Sequence, residues 1–241
     1  EMHQQVYFTA TKDSPLECHL YATSFEGGEA RRITQGAGTH QVVIDHACQY
    51  FVDTFHSISQ PPRQTLCSLK DGAKVAVLFE KIDPRLEQIH LSPPELVKLN
   101  NRHGDLLYGA IYRPPQRFGS GPFPTVVFVY GGPHAQMVIN SWLLTVRMRA
   151  QYLRSLGFLV FTLDNRGSAR RGLEFEGVIK HKMGHYEVED QVDGVRWLQQ
   201  QGLTVAGKVG INGWSYGGYM AAMCLLKAPE TFSAAVAGAP V

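Results

Sequence analysis

The chain has 241 residues, room for one large domain or two smaller ones, with 44% apolar and 18% charged residues, the balance of a soluble globular protein with a sizeable core. A net charge of +2, with the basic residues scattered, leaves no electrostatic footprint for nucleic acid or a membrane surface. No run of 18 apolar residues offers a transmembrane helix. The four cysteines form no CxxC pair, which argues against structural zinc, and their sparse placement fits a reducing compartment. Residue 1 is Glu with no charged-then-apolar leader after it, so any targeting signal is expected outside this sequence or not at all.

Residues 1–85 read as short strands: "QVYFTAT", "CHLYATSF", "RRIT", "HQVVID", "YFVDTF", "QTLCSL" and "KVAVLF". Asp13-Ser14-Pro15, Gly27-Gly28, Gly36, Pro61-Pro62 and Asp71-Gly72 punctuate them as turns. Tyr7-Phe8 recurs as Tyr50-Phe51, and the "LYATSFEGGEARRIT" hairpin recurs as "LCSLKDGAKVAVLF", at offsets of 43 to 46 residues. That period suits four-stranded propeller blades, here the last ones of a propeller, with a small irregular sheet as the alternative. Residues 86–110, broken by Pro93 and Pro94, read as a connector.

From residue 111 the grammar alternates strand and helix. "TVVFVY" (125–130) is a continuous apolar strand of the kind buried on both faces, and "FLVFTLD" (158–164), "KVGING" (208–213) and "FSAAVAG" (232–238) read as further strands. Between them, residues 141–157 predict one helix capped by Ser141, with Trp142, Val146, Ala150 and Leu153 on one face. "YEVEDQVDGVRWLQQQG" predicts an amphipathic helix with Val188, Val192, Val195 and Leu198 on one stripe. "YGGYMAAMCLLKA" predicts a third, stopped by Pro229. The expected fold is α/β, a mostly parallel sheet covered by helices.

Ser215 stands in "GWSYGGYM", where a strand ends and a helix begins. A sharp strand-to-helix turn strains the backbone and lifts the serine hydroxyl above the sheet, and side chains at Gly213 and Gly217 would collide with neighbouring backbone. Free amides of the helix N-terminus suit a developing negative charge. The nucleophile of an acyl transfer is thus expected at Ser215, with one oxyanion donor from the Tyr216 amide. The second donor is expected from "VYGGPH" (129–134), where Tyr130 is either a hydroxyl donor or a strand-end packing residue. All ten histidines precede Ser215, and residues 216–241 hold neither His nor Asp, although this arrangement takes its base and acid after the nucleophile.

"GWSYGGYM" and "VYGGP" resemble the prolyl oligopeptidase clan of α/β-hydrolases. "TKDSPLECHLY", "DNRGS", "RGLEFEG", "KMG", "EDQVDG" and "AGAPV" resemble the dipeptidyl peptidase IV family, on the side of its cytosolic branch. The likeness covers most of the chain and is weakest at 35–100. It implies the end of a β-propeller (1–85), a connector (86–110) and the first part of an α/β-hydrolase domain (111–241). It further implies Ser215 as nucleophile, the Tyr130 hydroxyl and Tyr216 amide as the oxyanion hole, and Tyr130, Tyr216 and Val241 as substrate-binding residues, the last two lining a pocket for the penultimate Pro or Ala. "DNRGS" (164–168) resembles a structural loop of the clan. The activity implied is removal of dipeptides from peptides with a free amino terminus, without metal or organic cofactor, by a cytoplasmic homodimer that binds neither nucleic acid nor membrane. The triad Asp and His and the amine-gripping glutamates are expected outside this sequence, and the chain alone is expected to be a poor catalyst. The alternatives are an endo-acting prolyl oligopeptidase or acylaminoacyl peptidase of the same clan, and a non-catalytic binding relative.

Other chemical-looking residues have plainer readings. His181 and His185 are four apart with Glu187 nearby, but Gly184 and loop-like surroundings argue against a metal site. His134 reads as a surface or packing residue, "EVED" (187–190) as a solvated helix face, and Cys224 as a small buried hydrophobe.

Overall fold

The computed structural model describes residues 4–241. The chain divides into two compact units, Glu1–Pro93 with Ile139–Val146 and Pro94–Val138 with Arg147–Val241.

The first unit is antiparallel. β1 (Gln5–Ala10), β2 (His19–Ser24) and β3 (Arg31–Arg32) form one meander. β4 (Thr39–Ile44), β5 (Tyr50–His56), β6 (Arg63–Ser68) and β7 (Lys74–Phe79) form a four-stranded one, followed by a short helix, α1 (Arg85–Gln88). The sequence repeat is structural: β1–β2–β3 and β5–β6–β7 are the same meander written twice, starting at Gln5, His19 and Arg31 and again at Tyr50, Arg63 and Lys74. Leu20, Ala22, Ile33, Phe51, Cys67 and Leu69 make its core.

Residues 139–146 also belong to this unit. The Asn140 amide donates to the Leu16 carbonyl at 2.7 Å, and the Asn140 side chain accepts from the Ile58 amide at 3.1 Å. Ser141 caps α2 (Trp142–Thr145) by accepting from the Leu143 amide. The expected helix over 141–157 is therefore two pieces, because Arg147 (φ −70°, ψ 83°) leaves helical geometry between α2 and α3 (Met148–Ser155). The amide of Trp142 donates to buried His56 Nδ1 at 3.3 Å, with the Ser141 hydroxyl at 3.2 Å, so His56 works as a neutral acceptor.

In the second unit, β8 (Glu95–Asn100), β9 (Leu106–Tyr112), β10 (Phe123–Val129), β11 (Leu159–Asp164), β12 (Thr204–Trp214) and β13 (Ala234–Gly238) form one mixed sheet in the order β13-β12-β10-β11-β9-β8. The four strands from β13 to β11 run parallel, and β9 and β8 are added antiparallel. Residues 86–110, read as a connector, thus supply β8 and most of β9. Pro93 and Pro94 stand just before β8, where a missing amide does not interrupt a ladder. Side-chain alternation sends Val127, Leu159, Phe161, Leu163 and Ile211 to one face, under α5 (Tyr186–Gln200) and α6 (Tyr216–Lys227), while Phe128 and Val160 face α3. A further short helix, α4 (Leu173–Gly177), precedes α5. Among the described residues no helix is long and apolar enough to cross a membrane.

Burial lowers the pKa of His19 and His56 below the ordinary imidazole value. The unfolded chain takes up these protons below about pH 6.5, and the folded unit resists them. The stability due to the neutral histidines is complete above that pH and is lost as pH falls from there towards the folded values. Thermal unfolding measured from pH 7.5 to 5 should show the fall. His56→Asn, whose side-chain oxygen can take the Trp142 amide without titrating, should flatten part of it. An unchanged pH slope in that variant would remove His56 from the account.

Candidate active site

Ser215 links β12 to α6 with φ 57° and ψ −122°, a conformation that an L-residue adopts only under constraint and at a cost of about 1–3 kcal/mol. Serine is a favoured N-cap because its hydroxyl can accept from a first-turn amide. Here it occupies the cap position without making that bond. Both the hydroxyl and the first-turn amides of α6 are thus left for another partner.

The neighbouring backbone enforces the turn. The Ser215 amide donates to Gly238 O on β13 and the Ser215 carbonyl accepts from the Tyr219 amide, each at 3.0 Å. A Cβ at Gly213 would strike the Gly217 carbonyl, and one at Gly217 would strike Val129 O on β10. Strand, elbow and helix therefore pack backbone to backbone.

The loop after β10 lies alongside. The Tyr130 and Tyr216 ring centroids are 6.1 Å apart, and a Cβ at Gly132 would meet the Tyr216 ring at 2.7 Å. Tyr216 is buried and its phenol donates to Glu187 Oε1 at 2.6 Å. Burial first, and then the Glu187 carboxylate, push the phenol well above its ordinary pKa, so it stays a donor. Asn165 Nδ2 donates to Gly131 O at 3.0 Å, and both oxygens of buried Asp164 accept from the Met137 and Val138 amides at 2.8 Å. Burial raises the Asp164 carboxyl to about 7 against the pull of those two donors. "DNRGS" therefore braces the "YGGPH" loop and the 137–138 backbone just beyond it.

Behind these loops, "EVED" is a solvated face only in part. Glu187, Asp190 and Gln191 are all buried. Arg166 reaches Asp190 through Nε and Nη2, the shortest contact being 2.7 Å. Burial works against the charged guanidinium, but its hydrogen bonds to Asp190 together with the attraction of Asp190, Asp105 and Glu189 outweigh that and hold it above its ordinary value. Gln191 Nε2 donates to Asn165 Oδ1 at 2.8 Å. The signal for this stripe is in the sequence: 187, 190, 191 and 194 share one helical face, and Gly194 abuts Leu163 and Phe161.

The remaining candidates divide. Val241, three residues past β13, is 72% exposed, and His134 is exposed. Cys224 is buried, its thiol pushed up to about 12 by burial and then by Glu187. Glu187 already accepts from the Gly184 and His185 amides as well as from Tyr216. Among the described residues no three His, Cys, Asp or Glu side chains converge as metal ligands.

Residues 144–241 match the prolyl oligopeptidase family, and residues 1–62 match the dipeptidyl peptidase IV N-terminal region. The chain is thus similar to the prolyl oligopeptidase family in its second part and to the dipeptidyl peptidase IV branch at its start. It is 39% identical over its whole length to dipeptidyl peptidase 8 of Mus musculus and 37% to that of Homo sapiens. To a probable dipeptidyl-aminopeptidase B of Arthroderma benhamiae it is 30% identical, with 98% of the chain aligned. It spans 28% of the length of the first two and 26% of the third. The family match over 144–241 contains the elbow, and Tyr130 lies upstream of it.

Gly217→Ala should lower stability by at least about 2 kcal/mol, since the added methyl meets backbone that cannot move aside. Gly210→Ala is the control, because its nearest atom is Ala234 O at 3.8 Å, and it should change stability by no more than about 0.5 kcal/mol. Urea unfolding compares the two. Equal stability would contradict the close-packed elbow.

Proposed function

We propose that this chain carries the nucleophile and oxyanion hole of a serine peptidase that releases dipeptides from peptide amino termini after Pro or Ala. The observation that carries the reading is the uncapped, strained Ser215 at the head of α6. A serine of purely structural use would cap the helix and relax to negative φ. The first unit is read as the last blades of a propeller and the second as the α/β-hydrolase part. The sheet order and the strand-elbow-helix at β12 support the latter.

The Ser215 hydroxyl attacks the scissile carbonyl and passes its proton to a general base. We assign that histidine and its orienting acid to sequence beyond these 241 residues, in keeping with the 28% of the relatives' length that they span. Negative charge on the tetrahedral oxygen is met by the Tyr216 amide, at the positive end of α6, and by the Tyr130 hydroxyl. The Tyr216 ring and Val241 are proposed as walls of the pocket for the penultimate side chain. Dipeptide release, rather than internal cleavage, is supported by relatives named as dipeptidyl peptidases.

A fluorophosphonate should modify Ser215 in the full-length protein, and mass spectrometry of the digest locates the adduct. Labelling of another serine with Ser215 untouched would overturn the assignment. Tyr130→Phe in the full-length protein should lower kcat by roughly 10²–10³ with little change in KM, as expected when one oxyanion donor is lost. Wild-type turnover would return Tyr130 to a packing role.

A further inference from the structure

We propose that Glu187 is a positioning residue for acyl transfer, holding the Tyr216 phenol so that the Tyr216 amide and the 130–132 loop keep their mutual placement. This rests on Ser215 and Tyr216 serving as proposed above.

Glu187 is fully buried in the first turn of α5. Its Oε1 accepts from the Gly184 amide at 3.0 Å and from the Tyr216 phenol at 2.6 Å, and its Oε2 accepts from the His185 amide at 3.1 Å. Burying a carboxylate is unfavourable unless its acceptors are filled, and here both oxygens are. Two of the donors are local backbone and would satisfy a merely structural cap. The third comes from the residue directly after Ser215.

The Tyr216 ring is held on three sides. Its hydroxyl is fixed to α5, its backbone is the first residue of α6, and its face lies against Gly132 so closely that a Cβ there would meet three ring atoms between 2.7 and 3.0 Å. The ring thus spaces the two proposed sources of oxyanion donors, its own amide and the loop that begins at Tyr130. Phenylalanine would keep the ring's volume and lose the anchor. The short bond of a phenol to a carboxylate is of the strong, charge-assisted kind and fixes direction as well as distance. Being negative, Glu187 gives no electrostatic help to an oxyanion, so its contribution is geometric.

The test uses the full-length protein with Ser215→Ala, Tyr216→Phe, Glu187→Gln and the double variant, assayed on a fluorogenic Gly-Pro amide with melting temperature followed in parallel. Tyr216→Phe and Glu187→Gln should each lower kcat about tenfold, less than the 10²–10³ for outright loss of a donor, with KM within about twofold. The double variant should fall no further than the worse single one, because both changes act on the same bond: Tyr216→Phe removes its donor and Glu187→Gln exchanges its charged acceptor for a neutral amide. A folded Tyr216→Phe protein with wild-type kcat overturns the proposal, as does a double variant whose loss is the product of the single losses. Tyr216→Phe decides alone if Glu187→Gln fails to fold, and Glu187→Gln decides if Tyr216→Phe does. An active Ser215→Ala protein would sink the nucleophile assignment itself. An inactive one beside a fully active Tyr216→Phe sinks only the role of Glu187.

Discussion

The second unit is organised around one backbone conformation that a free chain would leave at once. At φ 57° Ser215 is strained, and a strained residue persists only where its surroundings determine it from several directions. Those directions are identifiable. β12 lies between β10 and β13, with Gly213 paired to Val129 on one side and Trp214 to Gly238 on the other. Helix α6 is pressed onto both neighbours, since a Cβ at Gly217 would strike Val129 and one at Gly218 would strike Gly238. The glycines act here by letting backbones approach. The conformational freedom they bring is secondary, because none of Gly213, Gly217 and Gly218 has positive φ.

A turn held this tightly fixes Ser215 and the head of α6, but not the loop that faces them. That loop is held from behind by α5. One helical face carries Glu187, Asp190 and Gln191, and each reaches a different piece of chain: Tyr216, Arg166 and Asn165. Asn165 in turn holds Gly131. Such a buried polar network adds little net stability compared with apolar packing of the same volume, but it is unforgiving of displacement, because a shifted partner leaves a buried group unsatisfied. The apolar stripe of α5 (Val188, Val192, Val195 and Leu198) supplies the burial, and its polar stripe supplies the register.

The strands and the elbow were legible because their signals are local. The repeat of the first unit survives as two copies of a meander, and "GWSYGG" sits where β12 meets α6. What the sequence hid depends on what packs against what. "EVED" looks solvated because charge is normally solvated, and only the fold brings Tyr216, Arg166 and two loop amides to meet it. β8 and β9 were masked by Pro93 and Pro94, which punctuate the entry to a strand as readily as they break one. The helix expected over 141–157 has the right apolar spacing throughout. It is divided at Arg147, whose backbone leaves helical geometry where the chain passes from the first compact unit to the second.

The arrangement raises a question of sign. The site proposed to receive negative charge has a buried carboxylate behind the residue proposed to offer the amide. The resolution lies in where the Glu187 charge is met. Its two backbone donors are the amides of Gly184 and His185, which open α5, so the carboxylate sits at the positive end of that helix. The Tyr216 phenol completes its shell. With both oxygens filled by donors of its own, the carboxylate is solvated by the protein, and the positive end of α6 remains available at Ser215. In the proposed mechanism two helix N-termini thus serve two negative charges: α5 holds the Glu187 carboxylate, and α6 would face the transient charge of the tetrahedral oxygen.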